Sequence, residues 1–372
     1  MSEHGVYFDH AATSQLRPEA ADALRAALEL EGNPSALHRA GQRARARLEE
    51  AREELAAAVD ADPNEIIFTS GGSEADSIAV LGGGAARGGS VLVSAIEHPA
   101  VLGARARGAE LLPVTAEGVV DVDAASRLVG GDVALVSVMW VNNETGLLQP
   151  VAEVARIAHA AGAWFHTDAV QALGHVPLSF RDSGVDMMSL SAHKVGGPVG
   201  IGALVARREV KPAPLGLGGG QEREVRSGTG MVALAAGFAA AATAATQDLA
   251  RESARLDRLG DRIAEALQGL GATMNSHAAP HAPHIVNATF PRMRADDLLF
   301  LLDQRGIYAS VGSACRAGVH QPSEVLLAMG RTPEEAAATL RFSMGWTTTE
   351  GDVDRLLAVL AETVPLAQSA FS

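Results

Sequence analysis

The chain has 372 residues, of which 47% are hydrophobic and 20% charged, and its formal net charge is −14. This length suits one large or two smaller domains, and the excess of acid argues against binding a nucleic-acid backbone through overall charge. The single cysteine excludes intrachain disulfides and metal sites that need several cysteines.

The N-terminal sequence, MSEHGVYFDH, has neither the basic nor the apolar segment of a signal peptide. The longest run of small apolar residues, 231–245, falls short of the roughly 20 residues that a membrane span needs, and we expect a buried or interface helix there. These features predict a cytoplasmic protein with no membrane partner.

Helices and strands alternate through the first part of the chain. Residues 18–30 and 36–59 have helical patterns, and residues 65–69 read as a strand. The two helices are separated by a Gly-Asn-Pro-Ser turn that contains Asn33.

A Ser-Gly-Gly-Ser-Glu turn, residues 70–74, follows that strand and leads into a helix. Gly72 permits a close approach of the backbone, Ser73 adds a hydroxyl, and the free N–H groups of a helix N-terminus bind phosphate. The same residues suit a simple helix cap, and both roles can hold together. The glycine run at residues 82–88 lacks the G-x-G-x-x-G spacing and is predicted to be a helix end and loop.

Polar residues follow two later strands. His98 comes after the strand at residues 90–94, with a proline at the start of the next helix, and Asn143 comes after the apolar strand at residues 132–141. A histidine at such a turn is commonly structural, but an imidazole titrates near neutral pH and can also transfer protons.

Residues 164–168, WFHTD, are expected to form a strand that ends in Asp168, and residues 187–190 another that is followed by Lys194. Of the 30 lysine and arginine residues only two, Lys194 and Lys211, are lysines. Arginine cannot replace a lysine that must lose its proton, and a lysine amine can form a Schiff base with an aldehyde cofactor. A solvated loop lysine is the alternative interpretation.

An acid at the end of one strand and a lysine after the next suit pyridoxal phosphate. The carboxylate of Asp168 would keep the pyridine nitrogen protonated, while Lys194 would carry the aldehyde. Sites in open α/β sheets lie at the carboxyl ends of the strands, where both residues are expected. The alternative role for Asp168 is a helix cap.

The later part of the chain contains three histidines within residues 277–284, HAAPHAPH, which raises the question of a metal site. Two prolines interrupt the segment and no carboxylate or cysteine lies near, so we predict a loop with no dedicated metal site. A long helix at about residues 231–270 is expected before it, and a strand at 285–290 and a helix at 296–304 after it.

Small, polar and glycine-rich residues surround the single cysteine, Cys315. They predict an exposed loop rather than a small buried side chain. The adjacent Arg316 should favour the thiolate form, which is the nucleophilic one.

Together, motifs in four parts of the chain resemble a cysteine desulfurase of the NifS/IscS kind, a class V, fold-type-I pyridoxal-phosphate enzyme. The resemblance implies an α/β fold in which residues 15–255 form a large domain with a mostly parallel seven-stranded sheet. Residues 1–14 and 256–372 would form a smaller domain from the N-terminal arm and the α/β C-terminal part. The resemblance runs from Tyr7 to about Thr349, and its motifs are HTDAVQ, SLSAHKVGGPVGIGAL, GGGQEREVRSGT and VGSACRAGVHQPS.

The resemblance implies pyridoxal 5′-phosphate as the cofactor and no resident metal. Thr229 would reach the cofactor phosphate of the other subunit across a homodimer interface. The cofactor-binding residues that it implies are Gly72, Ser73, His98, Asn143, Asp168, Gln171, Ser191, His193, Lys194 and Thr229.

The implied reaction converts L-cysteine to L-alanine and leaves the sulfur as a persulfide on Cys315. Lys194 would pass the cofactor to the substrate amine, and His98 would move protons. An acceptor protein for iron–sulfur cluster assembly or tRNA thiolation would then take the sulfur. The substrate-binding residues would be Asn33, Asn143 and Arg341, with the arginine clamping the carboxylate in bidentate fashion.

Four positions depart from the family pattern, namely Gly196, Val199, Arg316 and Trp346. Two alternative functions stay open. A selenocysteine or cystine lyase cleaves its substrate without a persulfide and does not need Cys315. The second alternative is a non-catalytic scaffold for sulfur transfer. The retention of Lys194, Asp168 and Cys315 together argues against it.

Overall fold

The computed structural model describes residues 5–276, 279–312 and 322–370. The strands of these residues form three sheets. They are Val6–Tyr7 (β1), Ile66–Thr69 (β2), Ser90–Ser94 (β3), Glu110–Leu112 (β4), Val133–Ser137 (β5), Trp164–Asp168 (β6), Met187–Ser191 (β7), Gly202–Ala206 (β8), Thr273–Met274 (β9), Ile285–Thr289 (β10), Ile307–Tyr308 (β11) and Thr339–Ser343 (β12).

Helices connect most of these strands and cover the sheets. They are Pro18–Leu28 (α1), Arg39–Ala58 (α2), Gly72–Ser77 (α3), Gly83–Arg87 (α4), Pro99–Leu102 (α5), Val122–Leu128 (α6), Val151–Ala160 (α7), Phe180–Ser183 (α8), Val232–Gln247 (α9), Leu249–Gly269 (α10), Ala295–Gln304 (α11), Glu324–Ala328 (α12), Pro333–Ala337 (α13) and Glu350–Ala370 (α14).

The largest sheet has seven strands in the order β2-β8-β7-β6-β5-β3-β4. β8 is antiparallel to both of its neighbours, and all the other pairs are parallel. Every residue of β5 and β7 is buried, which is typical of a sheet covered on both faces. The predicted α/β fold with a mostly parallel seven-stranded sheet is confirmed.

The N-terminal arm packs with the C-terminal part of the chain. β1 pairs in parallel with β11, and the N–H of Ser343 donates to the carbonyl of Phe8 at 2.7 Å. β9, β10 and β12 form an antiparallel sheet. Phe8 shares a hydrophobic cluster with Leu259 and Leu356, separate from the cluster under the main sheet. This packing supports the division into two domains, which stays a proposal.

The glycine run of residues 82–88 contains the predicted helix end, at Arg87, but it is helical up to that point, which corrects most of the predicted loop. The helix that begins with α3 continues through a π-helical turn, Ile78–Gly82, into α4. A Cβ on Gly84 would lie 2.7 Å from Cγ2 of Val91, so this face of the helix has no room for a side chain. Close packing, rather than chain flexibility, therefore explains the glycines.

The single helix expected at about residues 231–270 is two helices, α9 and α10, bent by 72° at Asp248. α9 is alanine-rich and buried on most of its sides in the main core, whereas α10 buries one face against the second hydrophobic cluster. The change from an apolar to an amphipathic pattern was the available sequence signal. No single helix among the described residues is long and apolar enough to cross a membrane, and only this bent pair passes such a test jointly.

Candidate active site

The parallel strands of the main sheet end at one edge, and a cavity of about 370 Å³ lies there. The loops after β2, β3, β5, β6 and β7 supply its walls, the N-terminal arm adds Ala11 and Ala12, and β12 adds an arginine. The cavity brings together ten of the residues predicted from the sequence: Gly72, Ser73, His98, Asn143, Asp168, Gln171, Ser191, His193, Lys194 and Arg341.

Three predicted residues are not among those that line the cavity. Asn33 lies in its turn, where its Oδ1 accepts a hydrogen bond from the N–H of Ser35 at 2.9 Å. Thr229 is exposed on the single chain. Cys315 lies outside the described residues. Gly312, the last described residue before it, lines the cavity. The roles of these three residues stay predictions.

Lys194 lies in a short 3-10 turn directly after β7. Its Nζ donates hydrogen bonds to the carbonyl oxygens of Ala11 at 2.7 Å and Ala12 at 2.8 Å. Burial, with a contribution from nearby Arg341, lowers the pKa of the amine to about 8. A lysine in this setting reaches its neutral, nucleophilic form close to physiological pH, unlike a solvated loop lysine.

Asp168 is the last residue of β6 and is buried. Its Oδ1 accepts a hydrogen bond from the N–H of Val170 at 2.9 Å, so the carboxyl also closes the turn after the strand. Burial raises the pKa of Asp168, while His98 and Lys194 lower it. A cation beside this carboxyl, such as a protonated ring nitrogen, would favour its ionised form.

His98 precedes α5 and has both a structural and a cavity-facing atom. Its Nδ1 accepts a hydrogen bond from the N–H of Ala100 at 3.1 Å. The proton of the neutral ring is therefore on Nε2. Burial lowers the pKa of His98, although Asp168 opposes this effect. The structural interpretation of this histidine is supported by that bond, and its role in proton transfer stays a prediction.

The turn after β2 forms the end of the cavity beneath the N-terminus of α3. A Cβ on Gly72 would lie 2.8 Å from Cγ2 of Val170 and 3.4 Å from Cβ of Ser191, so a larger residue does not fit. Burial, with a further effect of the adjacent lysine, lowers the pKa of His193 to about 4. The free N–H groups and the hydroxyls of Ser73 and Ser191 make this end suitable for a phosphate.

Arg341 extends from β12 into the cavity. Its Nη1 donates to the carbonyl of Asn143 at 2.7 Å, and its Nη2 donates to Oδ1 of Asp9 at 2.8 Å. Its buried Nε has no hydrogen-bond partner within the described part of the chain. Asp9 has no role among the sequence predictions, because its contact with Arg341 joins residues at opposite ends of the chain.

Two further acids lie buried around Asp168, and the sequence predictions do not include them. Asp76 in α3 has an Oδ1 with no hydrogen-bond partner among the described residues, 3.7 Å from Nε2 of His166. Oε1 of Glu97 accepts from the N–H of Met139 at 2.6 Å, and its Oε2 likewise has no described partner. Burial, with nearby Asp168, raises the pKa of both acids well above the usual range, so the fold favours their protonated forms.

We expect Asp76→Asn to stabilise the cofactor-free protein, and to do so more at pH 8 than at pH 5. An acid with a raised native pKa stays protonated in the fold while the unfolded chain ionises, so stability is lost as pH rises above about 4. The asparagine amide does not ionise, so it removes this loss of stability. Between the unfolded and the native pKa of the acid, the loss is up to about 1.4 kcal/mol for each pH unit. Urea unfolding measures the effect, with the exposed Asp123→Asn as control. Destabilisation at pH 8 would show that native Asp76 is ionised.

The donor set of this cavity fits pyridoxal phosphate. Lys194 offers an amine of lowered pKa for the aldehyde, and Asp168 offers a buried carboxyl for the ring nitrogen. Gly72 allows the turn after β2 to pack closely against Val170 and Ser191 at the end that suits a phosphate. In the part of the chain that the structure describes, no group of three or more histidine, cysteine or acidic residues could hold a metal ion.

Comparison with known proteins agrees with this chemistry. A model of the family described as Aminotransferase class-V matches residues 6–356. The chain is 44% identical to the IscS-like cysteine desulfurase of Mycobacterium tuberculosis over 98% of both chains, and 40% identical to the cysteine desulfurase IscS of Methanosarcina thermophila over 96% of this chain and 92% of that one. A solved NifS-like protein superposes with a TM-score of 0.89 at 34% identity, covering 97% of this chain and 100% of the other. The resemblance seen in the sequence is confirmed.

Proposed function

The chain belongs to the class-V aminotransferase family, and we propose that it is a pyridoxal-phosphate-dependent cysteine desulfurase. It converts L-cysteine to L-alanine and leaves the sulfur as a persulfide on Cys315. The observation that carries this proposal is the convergence of Lys194, Asp168 and Arg341 on one cavity, which provides an aldehyde-binding amine, a partner for a ring nitrogen and a carboxylate-binding cation.

When bound, the cofactor supplies an electron sink for the substrate's bonding electrons. Lys194 would hold the aldehyde group, and Asp168 would pair with the ring nitrogen. His98 would transfer protons to and from the substrate, since Nε2 carries the proton of its neutral imidazole. The other residues that would hold the cofactor are Gly72, Ser73, Ser191 and His193 for its phosphate and Asn143 and Gln171 for its ring.

Arg341 binds the substrate carboxylate, with Asn33 and Asn143 beside it. The guanidinium is already ordered by Asp9 and by the Asn143 carbonyl, and its Nε is free among the described residues. A carboxylate therefore meets a preorganised donor, which reduces the entropy lost on binding. The Cys315 thiolate then attacks the substrate sulfur: an S–S bond forms, the C–S bond breaks, and its electron pair stays with the fragment that is protonated to alanine.

The direct test is to incubate the purified protein with L-cysteine and to measure alanine and protein-bound persulfide. We expect one persulfide for each alanine in the first turnover. Peptide mapping should locate this persulfide on the peptide that contains Cys315. Alanine with elemental sulfur, or with sulfide once a thiol reductant is added, and no protein persulfide would instead indicate the selenocysteine or cystine type of lyase. Neither alanine nor bound cofactor would indicate a scaffold.

We also propose that the enzyme is a homodimer with shared sites, because Thr229 is exposed on the single chain and the resemblance assigns it to the partner's phosphate. Thr229→Ala is expected to weaken cofactor binding by up to about tenfold, the effect of one lost hydrogen bond to a charged group. Titration of the cofactor-free protein with pyridoxal phosphate measures this, with exposed Thr349→Ala as the control. Sedimentation as a monomer with full activity would contradict the shared site.

The sulfur acceptor is proposed to be a protein of iron–sulfur cluster assembly or of tRNA thiolation, and the location is proposed to be the cytoplasm. The net charge of −14 favours a protein acceptor over direct contact with the nucleic acid. Purification of the persulfide-loaded enzyme with its bound partners, followed by transfer of labelled sulfur to each, distinguishes the two routes.

A further inference from the structure

A pair of imidazoles lies behind the cavity wall and has no place in the function proposed above. His175 follows β6, and His284 directly precedes β10 in the C-terminal part of the chain. Their ring centroids are 3.7 Å apart and the planes differ by 12°, so the rings stack. His284 is fully buried. The stack joins a loop of the main sheet to the antiparallel sheet.

The hydrogen bonds around Gln171 fix the proton position on His284. Nε2 of Gln171 donates to the carbonyl oxygen of Ala11 at 2.8 Å, and its Oε1 lies 3.2 Å from Nε2 of His284. A carbonyl only accepts, so the amide nitrogen must face Ala11 and the amide oxygen must face the histidine. His284 is therefore the donor, with its proton on Nε2 and a bare Nδ1.

The other ring contacts the lysine turn. The main chain of Lys194 lies close enough to the His175 ring to raise its pKa against the lowering effect of burial, and Nδ1 of His175 has no described partner. The same Ala11 carbonyl that accepts from Gln171 also accepts from Nζ of Lys194 at 2.7 Å. This carbonyl thus joins the Gln171 amide to the lysine amine.

Both rings are kept neutral. Burial lowers the pKa of His175 to about 4, and burial together with the neighbouring ring lowers the pKa of His284 well below its usual range. The buried Nδ1 atoms of both rings have no hydrogen-bond partner among the described residues. Burying a ring nitrogen without a hydrogen-bond partner costs free energy, and two apolar side chains would fill the same space without that cost. Packing alone therefore does not explain why two histidines are buried here.

We propose that His284 is a positioning residue for the cofactor: it fixes the Gln171 amide so that the remaining N–H of Nε2 faces the cavity. Gln171 lines that cavity, and one of its two amide protons is already committed to the Ala11 carbonyl. Without a donor at position 284 the amide keeps only its bond to the Ala11 carbonyl, so the direction of its second N–H is no longer fixed from both ends. This inference rests on the proposed function, because it assigns the free N–H to an acceptor on the bound cofactor.

The test compares two amides at position 284. In His284→Gln the side-chain amide reaches about as far as the imidazole Nε2, and in His284→Asn it falls short. We expect His284→Asn to bind pyridoxal phosphate about tenfold more weakly, as for one lost oriented hydrogen bond, and to shift the pH midpoint of the absorbance of the bound cofactor. His284→Gln should restore both, and His281→Asn in the same segment should change neither.

A double-mutant cycle separates positioning from general stability. If His284 acts through Gln171, then Gln171→Ala and the double variant Gln171→Ala with His284→Asn should bind the cofactor equally. Equal losses from His284→Asn in both backgrounds, or no loss in either, would overturn the inference. His284→Leu replaces the asparagine variant in the cycle if the latter does not fold. If the wild-type protein takes up no pyridoxal phosphate, the proposed function itself fails, which is a distinguishable result.

Discussion

Replacement of Lys194 by arginine is expected to abolish turnover while leaving the protein folded. The guanidinium keeps the positive charge and can still donate to the carbonyls of Ala11 and Ala12, which now accept from Nζ. It cannot lose its proton, whereas the lysine amine has a pKa of about 8 and does so readily. The loss should be roughly 10³-fold or more, because no other amine replaces the nucleophile.

Borohydride reduction provides the second measurement for this prediction. In the wild type it should fix the cofactor to the peptide that contains Lys194, and in the arginine variant it should label nothing. Lys211→Arg is the matched control. Lys211 is exposed and does not line the cavity, and its Nζ lies 2.6 Å from Oε2 of Glu224. Label on Lys211, or unchanged turnover in Lys194→Arg, would refute the assignment.

The residues that sequence reasoning found lie at positions set by local structure. Asp168 and Lys194 follow apolar strands, and the ends of parallel strands meet at one edge of a sheet, so a strand pattern is enough to bring them together. The turn at Gly72 was predictable for the same reason. In each case the signal lies within a few residues of the functional group.

The residues that it did not find depend on tertiary burial. Asp76 and Glu97 are ordinary acids in the sequence, and only their burial around Asp168 raises their pKa. Asp9 contacts Arg341 across nearly the whole chain length. The helix end predicted in the glycine run is present at Arg87, but the loop predicted before it was wrong, because close packing of a helix face, like a turn, selects glycine.

Cys315→Ala is expected to eliminate alanine formation from cysteine while leaving cofactor binding unchanged. The residues proposed to hold the cofactor and the substrate carboxylate, Lys194, Asp168 and Arg341, line the cavity and are untouched. Gly312 also lines it, and three residues of chain span at most about 11 Å, so the chain length is compatible with the proposed role of position 315. The absorbance of the bound cofactor should therefore still respond to added cysteine.

The pH dependence of the wild-type enzyme should follow the same thiol. The attacking form is the thiolate, so the rate of persulfide formation should rise with pH through the pKa of Cys315, from an unperturbed value of about 8.5 shifted downward by the adjacent Arg316. Arg316→Ser should move that midpoint upward without changing cofactor affinity. Alkylation of the native protein should remove activity in the same way as the alanine substitution. If alkylated or Cys315→Ala protein still releases alanine at a rate close to that of the wild type, the sulfur leaves without a protein persulfide, and the enzyme is a lyase.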